Sequence, residues 1–184
     1  MIITISGMPG SGKGTIAKLL SKELGYKIIE FGQLFREISA KKKFTLAEVN
    51  KDKKLANEID KIVDNKIISS GKKDKLIIDA RMGFHFVPKS IKLFINVDPK
   101  IAANRVFRDK RKAEEFTSEK DAYESLRKRA EFDRKRLLDL YHVDIYNLTC
   151  YDFIIDSSYL DEKQVLKSIM GFLLTKMPVT AKRL

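Results

Sequence analysis

The opening segment passes from a β-branched apolar run, through Gly7-Met8-Pro9-Gly10-Ser11-Gly12-Lys13-Gly14-Thr15, into a stretch of helical periodicity. Residues 1–6 are short, β-branched and bounded by glycine, the pattern of a buried strand. Residues 13–24 place Ile16, Ala17, Leu19, Leu20 and Leu24 on one helical face, and Gly25 supplies a stop. A glycine-rich turn between strand and helix folds so that successive amides point inward, and the helix start adds partial positive charge. Such a turn holds phosphate, and Lys13 brings a full charge to the terminal phosphates. The hydroxyl comes at Thr15, one place later than usual, because Gly14 follows the lysine. The bland alternative is a glycine-rich turn ahead of a core helix, which the strand–loop–helix context disfavours. The pattern points to nucleoside triphosphate binding and does not name a reaction.

Further strands are expected at residues 26–30, 76–79, 91–97 and 151–156, with little alternation of polar and apolar positions. Helices are expected over 31–39, 100–112, 118–141 and 161–175. Asp98-Pro99 is a helix start, and residues 40–75 form a lysine-rich helical stretch closed by Ser69-Ser70-Gly71. The polar patch 113–117 separates two helices, and the tail 176–184 is expected to be loose. Strands alternating with helices predict an α/β fold in three layers around a parallel sheet.

At 184 residues the chain has room for one domain, and 43% hydrophobic content fills one core. No apolar run approaches the roughly 20 residues of a membrane helix, and the amino terminus has no secretory pattern. A single cysteine, Cys150, excludes an internal disulfide framework, so the cytoplasm is the expected compartment. The 37 basic against 25 acidic residues, net +12, attract polyanions without saying which.

The placement of the charge says more. Moving a phosphoryl group brings many negative charges together, and fixed cations must hold them. Candidates are Arg36 after the second strand, Arg81 at the carboxyl end of the third, Arg105 and Arg108 on one helical face, Arg111, and Arg129 and Arg136 on another. In open parallel sheets that carboxyl edge is where ligands bind. Asp133 lies four residues from Arg129 and three from Arg136, so both arginines could instead form exposed helix pairs. Asp79 ends a hydrophobic strand, where a carboxylate can hold the water shell of Mg²⁺; it could equally be a turn former. His85 and His142 are isolated and suggest neither a metal site nor a triad.

The loop 7–15 resembles that of the nucleoside monophosphate kinases, and the remainder is similar to the cytidylate kinases, above all the short archaeal-type members. The resemblance rests on Phe31-Gly32-Gln33-Leu34-Phe35-Arg36, on Asp79-Ala80-Arg81, on the run from Arg129 to Arg136, on Tyr141-His142-Val143-Asp144 and on Tyr151-Asp152-Phe153-Ile154-Ile155-Asp156. It implies a five-stranded parallel sheet in a core of residues 1–30, 71–107 and 141–175, a monophosphate-binding helical region at 31–70 and a short lid at 108–118. It implies that residues 7–15 and Arg105 bind ATP, and that Arg36, Arg81, Asp60 and Arg136 serve the acceptor. Arg108, Arg111 and Arg129 would span the transferring group, with Lys13, Arg81 and Arg129 as the catalytic set. Thr15 and Asp79 would hold Mg²⁺, through water.

The expected reaction is transfer of the γ-phosphoryl of ATP to a nucleoside monophosphate, CMP or dCMP. The rivals are a kinase for AMP or UMP, and a non-catalytic nucleotide- or RNA-binding protein. Residues 40–75 carry only Phe44 as an aromatic, which argues against a dedicated single-strand binder. The expected partners are therefore small nucleotides, with no dedicated nucleic-acid site, no membrane, and a monomeric chain.

Overall fold

The computed structural model describes residues 1–44, 46–49, 52–109 and 116–176. Five parallel strands, β1 (Ile2–Gly7), β2 (Lys27–Glu30), β3 (Leu76–Asp79), β4 (Ile91–Asn96) and β5 (Phe153–Asp156), form one sheet in the order β2-β3-β1-β4-β5. Every residue of β3 is buried because helices cover both faces, which is why the strand shows no alternation.

On one face, Ile3, Ile5, Ile77, Leu93 and Ile95 pack against α1 (Lys13–Leu24) and α8 (Glu162–Lys176) through Ile16, Leu20, Val165, Ile169 and Leu173. On the other, Leu76 and Ile78 meet α2 (Phe31–Lys41) and α4 (Lys53–Ser70) through Phe31, Ile59, Val63 and Ile67. α3 (Leu46–Val49) is a single turn between them, and its Val49 is fully buried. The third helical unit is α7 (Glu119–Tyr141), packed on α6 (Pro99–Arg108).

Local signals explain most boundaries. Asp98 accepts from the amides of Lys100 and Ile101, with Pro99 in the first turn, and starts α6 as expected. Gly25 closes α1 and Gly71 closes α4. The lysine-rich stretch is not one helix: Asp52 accepts from the amides of Lys54 and Leu55 and begins α4 afresh. A short helix, α5 (Gly83–Phe86), follows β3 where no element was expected; a side chain at Gly83 would lie 3.2 Å from Thr4, so this turn sits directly on the sheet.

The last strand starts at Phe153, two residues late, because Tyr151 turns into a ring cluster, 4.8 Å from both Phe84 and Phe94. Its hydroxyl donates to the Ile145 carbonyl at 2.7 Å. Arg111, the polar patch up to residue 115 and the tail from 177 lie outside the described residues. Among the described residues, no helix is long and apolar enough to cross a membrane.

Candidate functional site

The sheet order reverses direction at β1, between β3 and β4, and the carboxyl ends of these strands open onto one crevice. Gly7 ends β1 in register with Ile95, and a Cβ there would sit 2.4 Å from the Ile95 carbonyl oxygen. Only glycine permits this approach. Gly10 holds φ +77, and a Cβ there would come 2.8 Å from that of Ala102 on α6. The turn is tied by Met8 N donating to Ile95 O and Ser11 N donating to Met8 O. Gly12 gives α1 no side-chain cap, so the first helical amides are left for a ligand.

The loop borders a cleft that Lys13 shares with Arg36, Arg81, Arg129 and Arg136. Asp60, Asp64 and Asp79 line it as well, with Phe35, Val63, Ile67 and Leu137 as its apolar wall. Five sequence-predicted cations and two predicted carboxylates therefore meet, although α1, α2, α4, α7, β3 and the turn after β3 supply them separately. Burial lowers the Lys13 ammonium; Asp79 pulls it back up, while Arg81, Arg129 and Arg36 push it further down. Burial raises the Asp79 carboxyl, against the attraction of Lys13.

Among the described residues Asp79 Oδ1 has no hydrogen-bond partner although it is buried, and a Cβ at Gly14 would lie 3.5 Å from Asp79 Oδ2. An unsatisfied carboxylate oxygen beside the loop fits a hard cation such as Mg²⁺. Among the described residues, no group of three or more His, Cys, Asp or Glu side chains could hold a metal ion, so phosphate oxygens and water would have to share in binding it.

Arg136 of α7 does not form a surface pair, unlike Arg127 and Arg134 on the same helix. Asp133 is 1% and Arg136 2% exposed. Arg81 donates to Asp133 Oδ1 at 3.1 Å and lies 3.0 Å from Oδ2, while Arg136 donates to Oδ1 at 3.1 Å. Arg136 also pairs with Asp60 on α4. Burial brings its guanidinium down to about 10, still charged at neutral pH. The result is an alternating chain, Asp60–Arg136–Asp133–Arg81, that joins α4 and α7 to the end of β3. Helix spacing alone allowed an exposed Arg136–Asp133 pair; the packing of α7 over the sheet end buries it.

Arg105 stands outside the cleft. Its guanidinium donates to the carbonyls of Ser157 and Ser158, at 2.6 and 3.1 Å, on the turn after β5. Ser157 Oγ in turn donates to the Ser11 carbonyl of the loop at 3.2 Å. Arg108 is exposed at the end of α6 and does not line the cleft. Sequence reasoning missed Glu30, Gln33, Asp64 and Asp133. Glu30 and Gln33 flank the start of α2, and Glu30 pairs with Lys18 at 3.2 Å. Proximity to Arg36 was the available signal for these two; Asp64 and Asp133 had none beyond helix spacing.

A parallel sheet in this order, with a phosphate loop after its central strand, defines a P-loop nucleotide-binding protein. The AAA-domain family profile matches residues 6–127. A cytidylate kinase of Archaeoglobus fulgidus is 35% identical over 172 residues, covering 92% of this chain and 93% of that protein. One from Sulfurisphaera tokodaii is 36% identical over 176 residues, covering 94% and 95%. In fold, shikimate kinase from Bacteroides thetaiotaomicron superposes with a TM-score of 0.65 at 14% identity, covering 96% of this chain and 99% of that one. With relatives of this identity aligned along almost its whole length, the chain belongs to the cytidylate kinase family.

Proposed function

We propose that the protein catalyses reversible transfer of the γ-phosphoryl group of ATP to CMP or dCMP, giving ADP and CDP or dCDP. The observation that carries this reading is the single cleft shared by Lys13 of the phosphate loop and Arg36, Arg81 and Arg129 from three other parts of the chain. A triphosphate alone does not require cations on both sides. A triphosphate meeting a monophosphate does. The names of the curated relatives support the cytidine acceptor.

In this reading the loop amides of residues 7–15 and Lys13 grip the β- and γ-phosphates of ATP. Arg36 and Arg81 hold the acceptor phosphate in line, and Arg129 neutralises charge on the group in transit. Asp133 holds Arg81, while Arg136 and Asp60 bind α4 to α7 and so shape the acceptor end. Arg105 acts at a distance, fixing the turn after β5 against the loop. Arg108 and Arg111 belong to the lid, residues 108–118, which closes over the phosphates; residues 31–70 form the acceptor-binding region. No general base is assigned, because the acceptor phosphate is mostly dianionic at neutral pH, its second pKa being about 6. Mg²⁺, held by the Thr15 hydroxyl and the Asp79 carboxylate with water between, supplies charge neutralisation on the donor phosphates.

A working monomer and a cytoplasmic setting, the latter supported by the single cysteine, belong to this reading. Light scattering and cell fractionation test these two points. The reaction itself is tested by ADP release with CMP, dCMP, UMP and AMP as acceptors. Acceptor-dependent ADP formation that is greatest with the cytidine nucleotides is expected. Equal slow hydrolysis with every acceptor would refute the assignment.

A further inference from the structure

Two carboxylates one helical turn apart on α4, Asp60 and Asp64, line the acceptor end of the cleft, each 7% exposed. Their surroundings differ. Arg136 neutralises Asp60. Among the described residues Asp64 makes no ion pair; its Oδ2 accepts from the uncharged phenol of Tyr141. Val63, Ile67 and Leu137 line the same cleft. Burial there holds the Asp64 carboxyl up to about 6, with the phenol only partly offsetting it. A carboxylate has about four lone-pair sites, so one phenol leaves acceptor capacity that a ligand donor can use. Supplying that donor relieves the cost of a buried charge.

We infer that Asp64 reads the exocyclic amine of the acceptor base and thereby selects cytosine over uracil. The inference rests on the acceptor assignment made above. Where cytosine carries an amino donor, uracil carries a carbonyl oxygen. Against the amine the carboxylate gains a charge-assisted hydrogen bond. Against the carbonyl it meets a second acceptor and stays buried without compensation, the kind of mismatch that discriminates strongly. Tyr141 is the positioning residue: its ring packs edge-on against Phe86, centroids 5.4 Å apart, and its hydroxyl holds the carboxylate. Arg136 is engaged by Asp60 and Asp133, and a carboxyl held at about 6 is mostly ionised at neutral pH, so the base meets Asp64 as an anion.

The test is steady-state phosphorylation of CMP, dCMP and UMP by wild type, Asp64→Asn and Tyr141→Phe, with folding checked by circular dichroism. Asp64→Asn should lower kcat/KM for CMP about 10- to 100-fold, with little loss toward UMP, so that the CMP:UMP preference collapses. Tyr141→Phe keeps the ring packing and should weaken the preference by a smaller factor, chiefly through KM. A folded Asp64→Asn with the wild-type CMP:UMP ratio overturns the inference. A change that separates CMP from dCMP and not CMP from UMP also overturns it, by assigning the carboxylate to the sugar. If Asp64→Asn does not fold, Tyr141→Phe decides, and an unchanged ratio there is fatal. Wild-type protein that accepts no pyrimidine defeats the proposed function itself, whereas a cytidine kinase with an indifferent Asp64 defeats only this step.

Discussion

The two ends of the cleft are built on opposite plans. At the loop end the binding groups are main-chain amides shaped by close approach, with Gly7 against Ile95 and Gly10 against Ala102. At the α7 end the groups are side chains already engaged with one another, from Asp60 through Arg136 and Asp133 to Arg81. The loop end is open and awaits its ligand's charge. The α7 end carries its own counter-charges, so that Arg81 is held in place before any phosphate arrives. A donor common to many enzymes can be held by backbone geometry, whereas a particular acceptor needs placed side chains.

The contrast can be broken by mutation, the donor end first. Lys13→Ala should cut kcat about 100- to 1,000-fold with an unchanged melting curve, because no buried pair depends on it alone. Stopped assays and a thermal melt check this, and retained turnover would remove the loop from catalysis. Arg81→Ala should lower kcat/KM about 10- to 100-fold, whereas Arg108→Ala, at an exposed site outside the cleft, should cost far less. Equal small effects would return Arg81 to the surface charges.

Asp133→Ala should act through stability as well as rate. It leaves the guanidinia of Arg81 and Arg136 without their shared carboxylate, and loss of one partner from such a buried set costs about 3 kcal/mol. Chemical denaturation reads that loss, and a value near zero would mean the network is not buried in solution.

The smallest effect is in pH. The folded-state pKa of Asp64 is raised to about 6 from the ordinary carboxyl value of 3.8, so between those values the folded chain keeps a proton that the unfolded chain has released. Stability from this group therefore grows as pH falls through 6, and its penalty is full above that. The Tm difference between Asp64→Asn and wild type should shift in the variant's favour on moving from acidic to neutral buffer; a constant difference would contradict the burial of that charge.

Much of this architecture was legible because its signals are local. The strand, loop and first helix lie in one contiguous segment, and Asp98, Gly25 and Gly71 mark boundaries through their own backbone chemistry. Arg81 was legible from its place at a strand end. Asp133 and Asp64 were not, because the same helix spacing describes an exposed ion pair and a buried one, and only the packing of α7 and α4 over the sheet decides between them. The short α5 turn had no local signal either, since its place depends on contact with Thr4 of a distant strand. Arg105 was legible as a useful cation, but its engagement with the turn after β5 depends on where that turn comes to rest.

The central claim is that one cleft holds a donor and an acceptor nucleotide together, and calorimetry with a non-hydrolysable ATP analogue, Mg²⁺ and CMP tests it most directly. CMP should bind with one-to-one stoichiometry to protein already saturated with the analogue, with an affinity no weaker than for the free protein. Loss of CMP binding once the analogue is in place, as expected of two nucleotides competing for one site, would contradict the account.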